Sequence, residues 1–186
     1  NMQTGVYSAQ KKDGTIYYRS SITYQNKHIS LGSYASEDTA NQAYQKADAL
    51  LRDPSVSFEH ALAHRGVLSF DKTVTLMNFR DNGVYIKTPI YLRRNYFEYF
   101  LSPTLILKFD IDDLFYYSSH KIMQRGRHFF IADYGMQVNI LSRFGIRNHS
   151  VAGRDYVFIN GDRRDFRYSN IQVINRFSGV RRMESN

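Results

Sequence analysis

Residues 156–174 gather side chains that could bind a metal ion or a phosphate group. Asp162, Asp165 and Asn170 offer carboxylate and amide oxygens, which are ligands that hard divalent cations accept. Three arginines of the same segment, whose guanidinium groups suit phosphate oxygens, are Arg163, Arg164 and Arg167. The segment predicts either a metal site or a phosphate-binding surface. Alternatively, its acidic residues only neutralise the arginines across a tight turn.

The positive charge of the chain is concentrated in its C-terminal part. The formal net charge is +8, yet residues 1–60 contain six basic and six acidic residues. From residue 140 onward there are nine arginines, four acidic residues and no lysine. Arginine is suited to bidentate phosphate contacts and to stacking on bases, so we expect a nucleic acid as the partner. The predicted phosphate contacts are Arg163, Arg164, Arg167, Arg181 and Arg182.

The composition excludes several other kinds of protein. The chain has no cysteine, so disulfides and cysteine-ligated zinc are ruled out. With 42% hydrophobic and 15% aromatic residues it can form a buried core, and no apolar run has the length of a membrane span. The first residues do not show the basic and apolar pattern of a secretory signal. We therefore expect a soluble cytoplasmic protein with no cofactor and no membrane partner.

Residues 5–51 have the pattern of three short strands followed by one amphipathic helix. Alternation along residues 16–24 gives the middle strand two faces. The face predicted to lie under the helix carries Tyr18, Ser20, Ile22 and Tyr24, and the opposite face carries Tyr17, Arg19, Ser21 and Thr23. The helix would follow Ser36 as its N-cap. Its apolar stripe, at the spacing of one helical face, consists of Ala40, Ala43, Tyr44, Ala47 and Leu51.

Five short segments of this stretch follow one another in a family-specific order. They are Gly5-Val6-Tyr7, Tyr18-Arg19-Ser20-Ser21-Ile22, Leu31-Gly32-Ser33-Tyr34, Glu37 with Ala40, and Ala43-Tyr44 with Ala47. About a quarter of the chain thereby resembles the AP2/ERF DNA-binding domain, in the version found in bacteria and mobile elements. In that family the sheet enters the major groove of DNA. The resemblance implies a DNA-facing set of Tyr7, Ala9, Tyr17, Arg19, Ser21, Thr23, His28 and Ser30. Because residues 1–60 have no net charge, a structural or protein-docking role is the alternative.

A second resemblance concerns the segment that could bind a metal. Asn160-Gly161-Asp162 corresponds to a turn, and Asp165, Arg167 and Asn170-Ile171 to the part that follows it. In this order the segment resembles the second half of an HNH endonuclease motif. The resemblance implies a ββα fold around a metal, and AP2-like modules of bacteria are often joined to HNH domains.

The chemistry of the HNH-like segment argues against cleavage. Such a nuclease needs a histidine general base beside a divalent metal, but the expected histidine positions hold Val157 and Phe158. Asn160 stands at the usual metal-binding aspartate. We expect a degenerate motif that keeps the arginines and lacks catalysis. A cation bound by Asp162, Asp165 and Asn170 stays an open alternative. In that case a histidine from outside the segment would complete the site, and the candidates are His120, His128 and His149.

The predicted fold class is α+β with two domains. A helix that ends before Pro54 closes an AP2-like module at residues 1–53. A linker follows at 54–66, in which Phe58 to Arg65 could form one short helical turn, and then an α+β domain at 67–186 that ends in the ββα-type HNH-like motif. The first elements predicted for that domain are a hairpin at 74–79 and 84–87 around Asp81-Asn82-Gly83, and a segment at 90–101 that could be helix or strand. The later elements are a helix from Asp110 to Met123, a strand at 128–132, a helix from Asp133 to Phe144, a strand at 156–159, and a helix or strand at 167–174.

An aromatic run in the middle of the chain has two possible roles. Its members are Tyr96, Phe97, Tyr99, Phe100, Phe115, Tyr116 and Tyr117. Such rings can stack on the bases of a single strand, and Arg93-Arg94 stands beside them. More often they form a core, which is the role we expect here.

Three functions from different classes are compatible with these features. The first, and the one we expect, is a non-catalytic DNA-binding protein of phage or mobile-element type. The second is a binding protein that inhibits a nucleoprotein defence nuclease, in the manner of an anti-CRISPR protein. The third is a metal-dependent HNH-type nuclease with a rearranged site. The partner is double-stranded DNA or another nucleic acid in the first, and a nucleoprotein complex in the second.

Overall fold

The structure, a computed structural model, describes residues 1–175 and has the α+β fold predicted from the sequence. It divides into two compact units, Asn1–Tyr91 and the residues from Leu92 onward. The predicted contacts Arg181 and Arg182 lie outside the described residues. No helix within residues 1–175 combines the length and the apolar character needed to cross a membrane.

The N-terminal unit begins with an antiparallel sheet of three strands in chain order. These are β1 (Val6–Gln10), β2 (Ile16–Tyr24) and β3 (Lys27–Tyr34). In the first turn the Asp13 carboxylate accepts a hydrogen bond from the Thr15 amide. Gln25 and Asn26 form the second turn, and both have positive φ angles of 49° and 63°, as a tight two-residue hairpin requires. The sheet therefore matches the predicted order of strands.

Helix α1 (Glu37–Arg52) covers one face of this sheet, as predicted. The Ser36 side chain caps it by accepting from the Thr39 amide at 3.1 Å. The helix approaches the sheet closely at Gly5, where an added Cβ would lie 2.2 Å from Tyr44 Cδ1. The buried residues of α1 are Ala40, Ala43, Ala47, Leu50 and Leu51.

Two more helices complete the N-terminal unit, and one of them replaces a predicted hairpin. They are α2 (Phe58–Ala63) and α3 (Phe70–Asn82). The prediction of strands at 74–79 and 84–87 was wrong, because Gly83 (φ 73°) ends a helix there. Six consecutive residues of α3, from Thr73 to Asn78, are buried. A helix buried on all sides has no amphipathic period, so its β-branched residues resembled a strand.

The compact unit extends past residue 53, where the sequence placed the end of the first domain. Arg80 of α3 donates hydrogen bonds to the carbonyls of Leu50, Asp53 and Val56, at 2.9, 2.9 and 2.6 Å. Its side chain is only 6% exposed. The bonds to Leu50 and Asp53 satisfy carbonyl groups at the end of α1, which a helix leaves without partners, and the bond to Val56 holds the segment that follows. The segment 54–66, predicted as a linker, thus contains α2 and is fastened to α3.

The second unit is built mainly of hairpins. The units divide within β4 (Ile90–Leu92). After it, β5 (Tyr96–Ser102) pairs antiparallel with β6 (Leu105–Asp110). A separate antiparallel sheet consists of β7 (Ile122–Arg125), β8 (His128–Asp133) and β9 (Met136–Asn139). Short helical segments are a 3-10 helix at Ile111–Asp113, α4 (Leu114–Ser118) and a 3-10 helix at Ile140–Phe144.

Two long helices predicted for this unit are absent from residues 92–175. The first, from Asp110 to Met123, is shortened to a 3-10 turn and α4, and its last two residues belong to β7. The second, from Asp133 to Phe144, is replaced by β9 and a 3-10 helix. Tyr134 and Gly135 form the β8–β9 turn with positive φ angles of 50° and 78°. Strand pairing across these turns overrides the local helix signals.

The aromatic run forms a core, as expected. Phe97 and Tyr117 are fully buried, and both rings lie near Phe109, at 5.4 and 4.0 Å between centroids. Phe109 in turn packs on Phe166 at 5.6 Å. Phe115 is the exception, because it is 89% exposed. The core therefore joins the first hairpin of this unit to its last segment.

Candidate nucleic-acid interface

The face of β1–β3 turned away from α1 carries most of the residues predicted to contact DNA. Strand pairing sets Tyr7 opposite Arg19, and Thr23 opposite His28. The Arg19 guanidinium donates to the Tyr17 hydroxyl at 2.8 Å and lies 5.5 Å from the centre of that ring. Tyr7 is 56% exposed, and Arg19, Thr23 and His28 are also exposed. We call the surface that carries Tyr7, Tyr17, Arg19, Thr23 and His28 the outer sheet face.

Ser21 does not share this exposure. It belongs to the same predicted set, but it is only 7% exposed. Its amide donates to the Gly5 carbonyl at 2.9 Å, and the β2–β3 register shifts between Ser20 and Ser21. Because the side chain is small and lies in the middle strand, its neighbours cover it. We remove Ser21 from the candidate contacts.

The zero net charge of the first 60 residues hides a separation of charge. The three strands contain no acidic residue. Residues 1–35 hold four basic residues and one acid, Asp13, whereas residues 36–60 hold two basic residues and five acids. Lys11 lies 6.0 Å from the Tyr17 ring, so it extends the Tyr17–Arg19 pair into a small basic and aromatic cluster. Lys27 does not belong to this cluster, because it lies over Tyr85.

The segment that resembles an HNH motif forms two short strands. They are β10 (Tyr156–Phe158) and β11 (Ile171–Val173), which pair antiparallel. The Asn160–Asp162 stretch forms a tight turn, as predicted. Between the turn and β11 there is only a 3-10 turn at Tyr168–Asn170. The helix that the resemblance implies for this stretch is therefore not formed within residues 156–175.

Arg167, a predicted phosphate contact, is held by an acidic residue instead. Its Nε and Nη2 donate to the two carboxylate oxygens of Asp165 at 2.9 and 2.6 Å. Asp165 is fully buried and also accepts from Asn160 Nδ2 at 3.0 Å. The guanidinium lies 5.1 Å from the Tyr96 ring centre. The neutralising role considered for the acids is thus correct for this pair, which engages two of the five guanidinium N–H donors of Arg167.

The environment of Asp165 favours its charged form. Burial by itself raises the pKa of this carboxyl, but the hydrogen bonds from Arg167 and Asn160 lower it further than burial raises it. The pKa of Asp165 therefore lies below its ordinary value. The same pair raises the pKa of Arg167, chiefly through its hydrogen bond to Asp165. The pair is a fixed ionic contact inside the unit.

The three side chains considered for a cation are engaged with the protein. Asp162 Oδ1 accepts from the Arg164 amide at 2.9 Å, and Asn170 Oδ1 accepts from the Asn160 amide at 2.8 Å. Both oxygens of Asp165 bind Arg167. Within residues 1–175 no group of three or more His, Cys, Asp or Glu side chains has a geometry suited to a metal ion. This arrangement uses the oxygens to hold the turn, so we do not propose a metal there.

Two further arginines of the segment differ in their engagement. Arg164 is exposed, and its Nη1 donates to the Thr104 carbonyl at 3.0 Å. Arg163 is exposed and has no ion pair or hydrogen bond within the part of the chain that the structure describes. Arg143 and Arg154, by contrast, are paired with Asp113 and Asp155. Among the described residues of this segment, Arg163 therefore has no side-chain partner, and Arg164 keeps the guanidinium donors that its bond to Thr104 leaves free.

The three histidines considered for a nuclease site have different surroundings. The His120 ring lies 2.7 Å from the Tyr116 carbonyl and stacks on the Tyr116 ring. His128 lines a cavity with Phe158 and Arg163. His149 is exposed.

Comparisons with protein-family models, with curated proteins and with solved structures found no match.

Proposed function

We propose that the protein is a non-catalytic DNA-binding protein whose outer sheet face contacts a duplex. The observation that carries this proposal is a cluster in which Lys11 of the β1–β2 turn joins Tyr17 and Arg19 of β2, in a sheet whose strands contain no acidic residue. Guanidinium groups beside aromatic rings suit both phosphates and base edges. The AP2/ERF resemblance adds that such a sheet can enter the major groove.

The second unit supports the non-catalytic part of the proposal. Val157 and Phe158 cannot act as a general base, and both oxygens of Asp165 are occupied by Arg167. Arg163 and Arg164 would add phosphate contacts, which strengthen binding without reading sequence. The protein incubated with plasmid and Mg²⁺ or Mn²⁺ should leave the plasmid intact. Cleavage that disappears in a His128→Ala or Asp162→Ala variant would contradict this part.

The test of DNA binding is fluorescence anisotropy with a labelled duplex, titrated at several salt concentrations. Arg19→Gln should weaken binding and reduce the slope of log affinity against log salt by about 1, the value for one lost phosphate contact. The matched control is Arg52→Gln, which removes the same charge from a side chain of α1 that is 78% exposed. Equal affinities of the two variants would reject the outer sheet face as the interface. The absence of duplex binding in the unmodified protein would reject the function.

A further inference from the structure

A cavity of about 350 Å³ lies in the second unit, between β8, the Ile140–Phe144 turn and the β10 segment. This volume is near the lower end of the range for small-molecule sites. Much of the wall is aromatic. Phe158 and Phe129 each meet the Phe166 ring edge-on, at 5.8 and 5.9 Å between centroids, and Tyr156 lies beside Phe158 at 5.9 Å. The cavity therefore suits a flat, largely apolar group.

The charged side chains that the structure describes in the lining of the cavity are all basic. Arg127 and Arg163 line it and are exposed, and neither has an ion-pair partner within residues 1–175. His128 also lines it, and none of the described residues of the lining is acidic. Ser150, which is half-buried, adds a hydroxyl that can donate or accept a hydrogen bond. A flat group attached to anionic groups would complement both the wall and the charges.

We propose that this cavity binds one unpaired nucleobase of a nucleic acid, with Arg127 and Arg163 on the phosphates beside that base. This inference rests on the proposed DNA-binding function and extends it from the duplex to a base outside the helix stack. A base in an aromatic site gains stacking energy regardless of its identity. The two arginines would hold the backbone on both sides of it, because phosphates flank every nucleotide. The protein would then prefer a duplex that contains a bulge or a flap to a fully paired one.

The experiment compares three labelled duplexes of one sequence by fluorescence anisotropy. The first is fully paired, the second carries one extra unpaired adenosine, and the third carries an abasic residue in place of that adenosine. The second should bind roughly 5- to 100-fold more tightly than the other two, since one base–aromatic stack is at stake. The third duplex keeps the distorted backbone, so it separates recognition of the base from recognition of bent DNA.

Two variants test whether this preference belongs to the cavity. Ala152→Trp fills it from an exposed position of its lining, without removing a core ring. This variant should bind all three duplexes alike. Its indole would be the only tryptophan in a chain that has none, so a blue-shifted emission checks that it is seated in the cavity. Arg163→Glu should weaken binding of the bulged duplex more than Arg147→Glu does, because Arg147 is exposed and does not line the cavity.

The outcomes separate this inference from the function on which it rests. Equal binding of the three duplexes by the unmodified protein overturns the proposal that the cavity binds a base and leaves the proposal of duplex binding intact. The proposal is also overturned if Ala152→Trp still prefers the bulged duplex while its blue-shifted emission shows that the indole fills the cavity, because the base is then bound elsewhere. If no duplex binds at all, the inference and the proposed function fail together.

Discussion

Arg167 forms two hydrogen bonds with the buried carboxylate of Asp165, and this pair decides how the C-terminal arginines must be interpreted. By composition alone, every arginine from residue 140 onward is a candidate phosphate contact. In the structure, Arg143, Arg154 and Arg167 each meet an aspartate of their own unit. The excess of positive charge is therefore partly internal, and the cations available to a partner are fewer than the sequence suggests.

The first prediction concerns the stability that depends on this pair. Arg167→Ala should lower the free energy of unfolding by about 3 kcal/mol, because it leaves a buried carboxylate without its counter-ion. Arg163→Ala is the matched control and should change it by less than about 0.5 kcal/mol, as an exposed and unpaired side chain does. Urea unfolding followed by circular dichroism measures both. Equal stability of the two variants would show that the pair contributes nothing.

The second prediction concerns the dependence of stability on pH. The pKa of Asp165 is lower in the folded than in the unfolded protein. The charged carboxylate therefore stabilises the fold above the ordinary aspartate pKa of about 4. This stabilisation is lost as the pH falls through the pKa of the folded protein. The difference in unfolding free energy between the unmodified protein and Asp165→Asn should be largest near neutral pH and shrink below about pH 4. Urea titrations from pH 7 to pH 3 measure this difference. A difference that grows with acid would contradict the assigned sign.

The third prediction concerns the hydroxyl group of Tyr17. Tyr17→Phe keeps the ring under Arg19 but removes the acceptor that holds the guanidinium at 2.8 Å. Duplex affinity should fall by roughly fivefold, the value of one hydrogen bond of about 1 kcal/mol. Tyr18→Phe removes a hydroxyl from the neighbouring residue, whose side chain points to the other face of the sheet, and should leave the affinity unchanged. The anisotropy titration described above serves for both variants, and equal losses would argue for a general effect on the sheet.

The fourth prediction concerns the close approach of α1 to the sheet. Gly5→Ala introduces a Cβ that would lie 2.2 Å from Tyr44 Cδ1, and it also strains a backbone with φ of +77°. Gly83→Ala carries the same kind of strain at φ +73° but meets no atom within 4 Å. Gly5→Ala should therefore be the more destabilising by about 1–3 kcal/mol, the cost of overpacking. Thermal unfolding of both variants measures the difference, and similar melting temperatures would mean that Tyr44 moves aside without cost.

The sheet and α1 were predictable because each has a local signal. Alternation along β2 and the stripe of Ala40, Ala43 and Ala47 report one exposed face and one buried face. Most of the outer sheet face follows from the same alternation. Ser21 does not, because its burial depends on neighbouring strands and not on its own position in the pattern.

The elements that sequence reasoning missed are those whose signals depend on contacts far along the chain. Helix α3 is buried from Thr73 to Asn78, so no period marks it. The β8–β9 turn places Tyr134 at a positive φ, which is uncommon for a residue with a side chain of this size. The burial of Asp165 depends on Lys108. The Lys108 amide donates a hydrogen bond to the carbonyl of Arg164, and the Lys108 carbonyl accepts one from the amide of Phe166, so both chain neighbours of Asp165 are bound to it. Nothing in residues 156–174 alone indicates that contact.

The separation of charge between the strands and α1 gives the N-terminal unit an electric dipole. A polyanion would attract the strands of this unit and repel the acidic first turn of α1. The electric field of the polyanion would therefore rotate the protein while it is still approaching. Its effect would therefore lie in the association rate constant, which should fall steeply with added salt, while the dissociation rate constant changes less. The zero net charge of residues 1–60 is thus compatible with fast and oriented capture.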